Sequence, residues 1–98
     1  MALTIRWTKR AEKKFDKIIE YLLIEWNEQV TETFVKKVYD FIDTLTDFPE
    51  IGTIENKEKA IRAFTIVKQI NIFYHVGKKQ IVILNFFDNR QSPKKKRF

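Results

Sequence analysis

The hydrophobic residues change their spacing once along the chain, and this change is the strongest constraint on the fold. Over residues 9–46 apolar side chains recur at three- and four-residue steps, the period of an amphipathic helix. From Ile61 onward the chain is instead rich in Ile, Val, Phe and Tyr, the residues favoured in strands. A chain of 98 residues has room for one compact domain, so both halves must share one core. The pattern predicts an α+β fold.

Two helices are predicted, and a small polar residue marks the start of each. Thr8 offers its hydroxyl as the N-cap of the first helix, and Asn27 can end that helix and begin the second, over residues 28–46. So short a junction makes the helices antiparallel neighbours. Pro49 and Gly52 then break the helical pattern, because proline lacks a donor and glycine tolerates a turn.

The strands are predicted from alternation and from β-favouring residues. An N-terminal strand is expected at residues 3–7 and, after a polar loop through Lys59, three more at 61–67, 69–76 and 80–87. The consecutive apolar residues 81–84 predict that the last strand is covered on both faces. The predicted order β-α-α-β-β-β gives a three-stranded antiparallel meander with the helical hairpin on one face. The N-terminal strand would join at an edge or beside the last strand.

The chain is basic, with a formal net charge of +6, and this excess favours an anionic partner. The alternative is a charge that only aids solubility. Four cations lie close to the end of the chain: Lys94, Lys95, Lys96 and Arg97. Cysteine is absent, and no secretory signal or apolar segment long enough for a bilayer is visible. We therefore expect a soluble cytoplasmic protein with no membrane partner.

A series of landmarks in this order resembles the RelE/ParE toxin superfamily over essentially the whole chain, and the ParE-like members more closely. The landmarks are Trp7, Thr8, Ala11, Tyr21, Leu22, Trp26, Phe34, Phe48, Pro49, Gly52, Arg62, Ile72, Phe73, Tyr74, 81–84 and 86–93. The resemblance implies one toxin domain over residues 1–98, with a basic C-terminal tail at 88–98. It also implies plasmid stabilization and growth inhibition, a cognate antitoxin that neutralises the toxin, and no cofactor. Operator DNA would be bound only through the antitoxin complex.

The resemblance leaves two targets open: ParE-like members inhibit DNA gyrase, whereas RelE-like members are ribosome-dependent mRNA endoribonucleases. A metal-independent ribonuclease needs a base, an acid and a cation on the phosphate. The candidates for that chemistry are Arg62, Arg90, His75 and Lys59. Asn71 stands where RelE-like members often carry an arginine, and residues 88–98 contain no Tyr or His. These departures favour the gyrase reading, which requires no base.

For target binding the candidates are cations, namely Arg62, Arg90, Lys94, Lys95, Lys96 and Arg97. Arg62 has two equally weighted roles, contact with target or antitoxin from the sheet rim, or an internal ion pair that holds the preceding loop. His75 is more simply read as a strand histidine without chemistry. Glu25, Glu28 and Glu32 are more simply read as a solvated acidic patch than as a metal site. A non-toxic chain that only binds antitoxin is a further alternative, and a plain nucleic-acid-binding protein is a weaker one.

Overall fold

The structure, a computed structural model, describes residues 3–67 and 69–88. The elements follow the order β1 (Thr4–Trp7), α1 (Lys9–Glu25), α2 (Glu28–Asp47), β2 (Thr53–Asn56), β3 (Ile61–Val67), β4 (Ile70–Val76) and β5 (Gln80–Asp88). The α+β class and the antiparallel helical hairpin followed by strands are confirmed.

The strands form one mixed sheet in the order β1-β5-β4-β3-β2. β3, β4 and β5 make the expected antiparallel meander, and β1 lies parallel to β5 at the edge, with Thr4 opposite Gln80 and Trp7 opposite Ile83. The first strand is therefore beside the last, as the sequence predicted. The two are further joined by the Thr8 amide, which donates to the Ile83 carbonyl at 3.0 Å.

β2 was not predicted, because its residues were read as part of a polar loop through Lys59. It pairs antiparallel with β3, with Thr53 opposite Ala63 and Ile54 opposite Arg62. Its side chains are mostly exposed, so no alternation of polar and apolar residues marks it. Asp88, which the sequence placed at the start of the tail, is the last residue of β5.

Both helices begin at the predicted caps. The Thr8 hydroxyl accepts a hydrogen bond from the Ala11 amide at 3.0 Å and donates to the Leu84 carbonyl at 3.0 Å. The Asn27 side chain accepts from the Val30 amide at 2.8 Å. These side chains satisfy amides that the first turn of a helix leaves without partners. Thr8 also fixes α1 to β5.

The main core lies between the helices and one face of the sheet. Phe41 of α2 stacks on Phe64 of β3 with ring centroids 4.3 Å apart, and Phe15 of α1 contacts Phe86 of β5 at 5.4 Å. A smaller cluster of Ala63, Phe73 and Phe87 lies on the opposite face, with Leu84 half-buried against it. Ile81, Val82 and Ile83 are buried, in line with the expectation that β5 is covered on both faces.

Candidate target-binding site

Arg62 and Tyr74 are cross-strand partners, and together they hold the loop that follows α2. Their side chains share the sheet face that the helices cover, since the Tyr74 ring contacts Phe41 with centroids 5.9 Å apart. Nη1 of Arg62 donates to the carbonyls of Glu50 at 3.1 Å and Gly52 at 2.7 Å. The guanidinium is therefore bound to backbone, and no carboxylate of the described chain forms an ion pair with it.

The Tyr74 hydroxyl is buried and bonded on both sides to the same loop. It accepts a hydrogen bond from the Gly52 amide at 2.9 Å and donates to the Pro49 carbonyl at 3.0 Å. Burial raises the pKa of Tyr74 above its ordinary value of 10.0, against smaller opposing effects of the Gly52 amide and the Arg62 charge. The hydroxyl is thus kept neutral, as its donation to a carbonyl requires. In the sequence Tyr74 was singled out only as one of the landmarks of the family resemblance.

His75 lies on the opposite face of the sheet, because it follows Tyr74 in the same strand and side chains alternate. Its Nδ1 lies 2.8 Å from the Lys59 carbonyl. A carbonyl can only accept, so Nδ1 is the donor in this contact. The Lys59 amide in turn donates to the Asn56 side chain at 2.9 Å. His75 and Lys59 are therefore neighbours, tied through the turn that precedes β3.

Of the predicted ribonuclease residues, His75 contacts the backbone carbonyl of Lys59 and lies on the opposite face of the sheet from Arg62. Asn71 accepts a hydrogen bond from the Thr65 hydroxyl at 2.8 Å. Arg90, Lys94, Lys95, Lys96 and Arg97, which carry most of the predicted target contacts, lie outside the described residues. Their role stays a prediction, as does a target contact by Arg62.

Exposed apolar side chains form two surfaces that the sequence reasoning missed. One is at the end of α1 and contains Leu23, Ile24 and Trp26, the second of which is 77% exposed. The other contains Phe48, Ile51 and Ile54, beside a groove of about 300 Å³ between Ile54, Arg62 and Val76. The sequence did contain an indication of the first surface: residues 23–24 are adjacent and apolar, and Ile24 falls outside the helical stripe that faces the core.

The described ranges contain no group of three His, Asp or Glu side chains that could hold a metal ion. Neither α1 nor α2 is long and apolar enough to cross a membrane.

Comparison with known proteins gives one family and a set of similar folds. A family profile described as the ParE toxin of the type II toxin–antitoxin system parDE matches residues 5–93. No curated protein matches the chain. Among solved structures, the chromosomal ParDE toxin–antitoxin system from P. aeruginosa has a TM-score of 0.72 at 16% identity, covering 89% of this chain and 96% of that one.

Two other structures extend the likeness. The E. coli DinJ–YafQ toxin–antitoxin complex has a TM-score of 0.64 at 8% identity, covering 95% of this chain and 99% of that chain. The YoeB dimer from Staphylococcus aureus has a TM-score of 0.62 at 16% identity, covering 87% and 94% respectively. At such identities these structures show a shared fold.

Proposed function

Because the chain belongs to the ParE toxin family of type II toxin–antitoxin systems, we propose that it arrests growth by inhibiting DNA gyrase until a cognate antitoxin neutralises it. The family match covers nearly the whole described fold, from β1 through β5. Gyrase inhibition needs a binding surface and no acid–base chemistry, so it makes no demand on the position of His75.

The observation that favours gyrase over mRNA as the target is that Arg62 and His75 lie on opposite faces of the sheet. Cleavage of RNA without a metal needs a base, an acid and a phosphate-binding cation around one phosphodiester. Arg62 lies on the helix-covered face and its Nη1 is shared between two carbonyls, whereas His75 lies on the other face. These two side chains cannot converge on one phosphate without remodelling the sheet. The arrangement favours binding over cleavage.

The exposed apolar surfaces support an antitoxin partner. Leu23, Ile24 and Trp26 leave unburied area on a protein of net charge +6. An amphipathic, acidic segment would cover such area and neutralise the charge at the same time. The DinJ–YafQ structure is a complex of a toxin with its antitoxin, which gives a solved precedent for such a partner on a similar fold.

Two assays run in parallel test the proposal. Purified chain is added to DNA gyrase in a supercoiling reaction and to ribosomes translating a defined mRNA. We expect loss of supercoiling, trapped cleaved DNA and intact mRNA. The His75→Ala variant should inhibit gyrase as well as the native chain does, because the proposal gives that side chain no role.

Two other outcomes of these assays would contradict the proposal of gyrase inhibition. Codon-phased mRNA cuts that disappear in His75→Ala, with normal gyrase, would establish the ribonuclease alternative. Inactivity in both assays, together with unimpaired growth when the chain is expressed alone, would instead favour a non-toxic antitoxin-binding protein. Neutralising Lys94, Lys95, Lys96 and Arg97 together should weaken gyrase inhibition if the tail contacts the target.

A further inference from the structure

α1 carries a row of cations on the side that faces away from the core. The α1 basic row consists of Lys9, Arg10, Lys13, Lys14 and Lys17. At 3.6 residues per turn these positions span about 140° of the helix circumference. Lys14 is half-buried and the other four side chains are exposed, while Ala11 and Phe15 on the other side enter the core.

The row forms no ion pair within the described residues, although Asp88 lines a pocket with Lys14 and Lys17. None of its five cations lies within ion-pair distance of a carboxylate in the described part of the chain, where the ion pair found is Lys36–Asp40 on α2. Glu12 and Asp16 belong to α1 but lie toward the flank of the row, so residues 9–17 have a net charge of +3. Over α2 the net charge is −3. Positive potential is therefore concentrated on one half of one helix.

We propose that the α1 basic row binds the phosphate backbone of duplex DNA. Successive lysines at Lys9, Lys13 and Lys17 are about 6 Å apart along the helix axis. Duplex DNA carries a phosphate charge about every 1.7 Å of its axis. Each flexible ammonium group can thus reach a different phosphate, and lysine binds phosphate as a point charge.

The composition of the row favours duplex nucleic acid over other anions. Lysine is depleted in protein–protein interfaces, whose buried centres are apolar, and no apolar residue lies between the cations of this face. Single-stranded nucleic acid is bound largely by stacking of successive bases on several aromatic side chains. Tyr21, which lines a pocket with Lys14 and Lys17, is the one exposed aromatic side chain beside the row in the described part of α1, and a single ring offers no platform for successive bases. The choice of DNA over duplex RNA rests on the proposed function, since gyrase acts on duplex DNA. The binding of backbone phosphate does not depend on it.

The strength of the effect follows from counterion release. If all five cations neutralise phosphates, the affinity due to the row falls about 500-fold between about 50 and 200 mM salt. Removal of two of the five charges lowers the slope of log K against log salt by about 2. Over the same range of salt, the affinity due to the three remaining cations then changes only about 40-fold.

The test measures binding of the full chain to a labelled duplex of about 20 base pairs by fluorescence anisotropy over a salt series. The variant is Lys13→Gln with Lys17→Gln. The matched control is Lys78→Gln with Lys79→Gln, which removes the same charge from exposed positions in the turn before β5. We expect the α1 variant to lose about two units of salt slope and the control to lose less than half as much. Thermal unfolding should be unchanged in both, because the side chains are exposed.

Equal slopes and affinities for the α1 variant and the control would overturn the proposal. Tighter binding to a duplex RNA of the same length would overturn the assignment to DNA. Gyrase inhibition is measured separately on the same preparations. Weak DNA binding with full gyrase inhibition would overturn this inference alone, whereas salt-dependent DNA binding through α1 without gyrase inhibition would support it and overturn the proposed function alone.

Discussion

Replacing Tyr74 with phenylalanine should detach the loop after α2 from one of its two anchors. The substitution removes one oxygen and leaves the ring in contact with Phe41. Two groups then lose their present hydrogen-bond partner: the amide of Gly52, which is a buried residue, and the carbonyl of Pro49. An unsatisfied buried polar group costs about 1–3 kcal/mol, so we expect the free energy of unfolding to fall by about 2 kcal/mol.

Two measurements would check this value. Urea unfolding gives the free energy directly, and for a domain of this size a loss of about 2 kcal/mol lowers Tm by roughly 8–16 °C. Hydrogen exchange should show faster exchange of the Gly52 amide. The control is Tyr39→Phe, because the Tyr39 side chain is half-exposed and its hydroxyl makes no hydrogen bond within the described chain.

The reasoning would be refuted if Tyr74→Phe lost no more stability than Tyr39→Phe, or if Gly52 exchange were unchanged. Either result would mean that Arg62 alone holds the loop through the carbonyls of Glu50 and Gly52.

Two further predictions concern the same loop. A Cβ added at Gly52 would lie 2.6 Å from both the Ala63 carbonyl oxygen and the Tyr74 hydroxyl, so Gly52→Ala should lower the free energy of unfolding by at least about 2 kcal/mol. Gly77→Ala, where the nearest atom is 3.0 Å away, should cost less in the same urea experiment. Because the fold raises the pKa of Tyr74, its stabilising contribution is fully present below about pH 10 and is lost at higher pH. The urea midpoint of the native chain should therefore fall more steeply above pH 10 than that of Tyr74→Phe, and parallel curves would contradict this.

The sequence predicted the parts of the fold that depend on local chemistry. Thr8 and Asn27 were recognised as caps because a cap needs only its own side chain and the next few amides. β2 was missed because its four residues are mostly exposed and become a strand only by pairing with β3. Pairing between segments is not a property that either segment displays alone.

The candidate site was harder to predict because partners of charged side chains are set by tertiary structure. The sequence left Arg62 with two roles, and the internal one was expected to involve a carboxylate. The guanidinium instead contacts carbonyls, groups that every residue has and that no sequence pattern distinguishes. The separation of Arg62 from His75 follows from strand alternation and was within reach of the sequence. The hydroxyl contacts of Tyr74 were not, because they depend on where the loop returns to the sheet.

The pairing of β1 with β5 also determines at what point of its synthesis the chain can complete its fold. Thr8 is bonded to Leu84, 76 residues further along the chain, and β1 has its strand partner only in β5 within the described sheet. At about 5–20 residues per second, the ribosome needs roughly 4–15 s to add that stretch after Thr8 has been made. In the course of this interval α1 and α2 are made while β5, the strand on which α1 packs, is still missing. The fold can therefore be completed only after β5 has been made, and a chain that terminates before β5 lacks both the partner of β1 and the strand on which α1 packs.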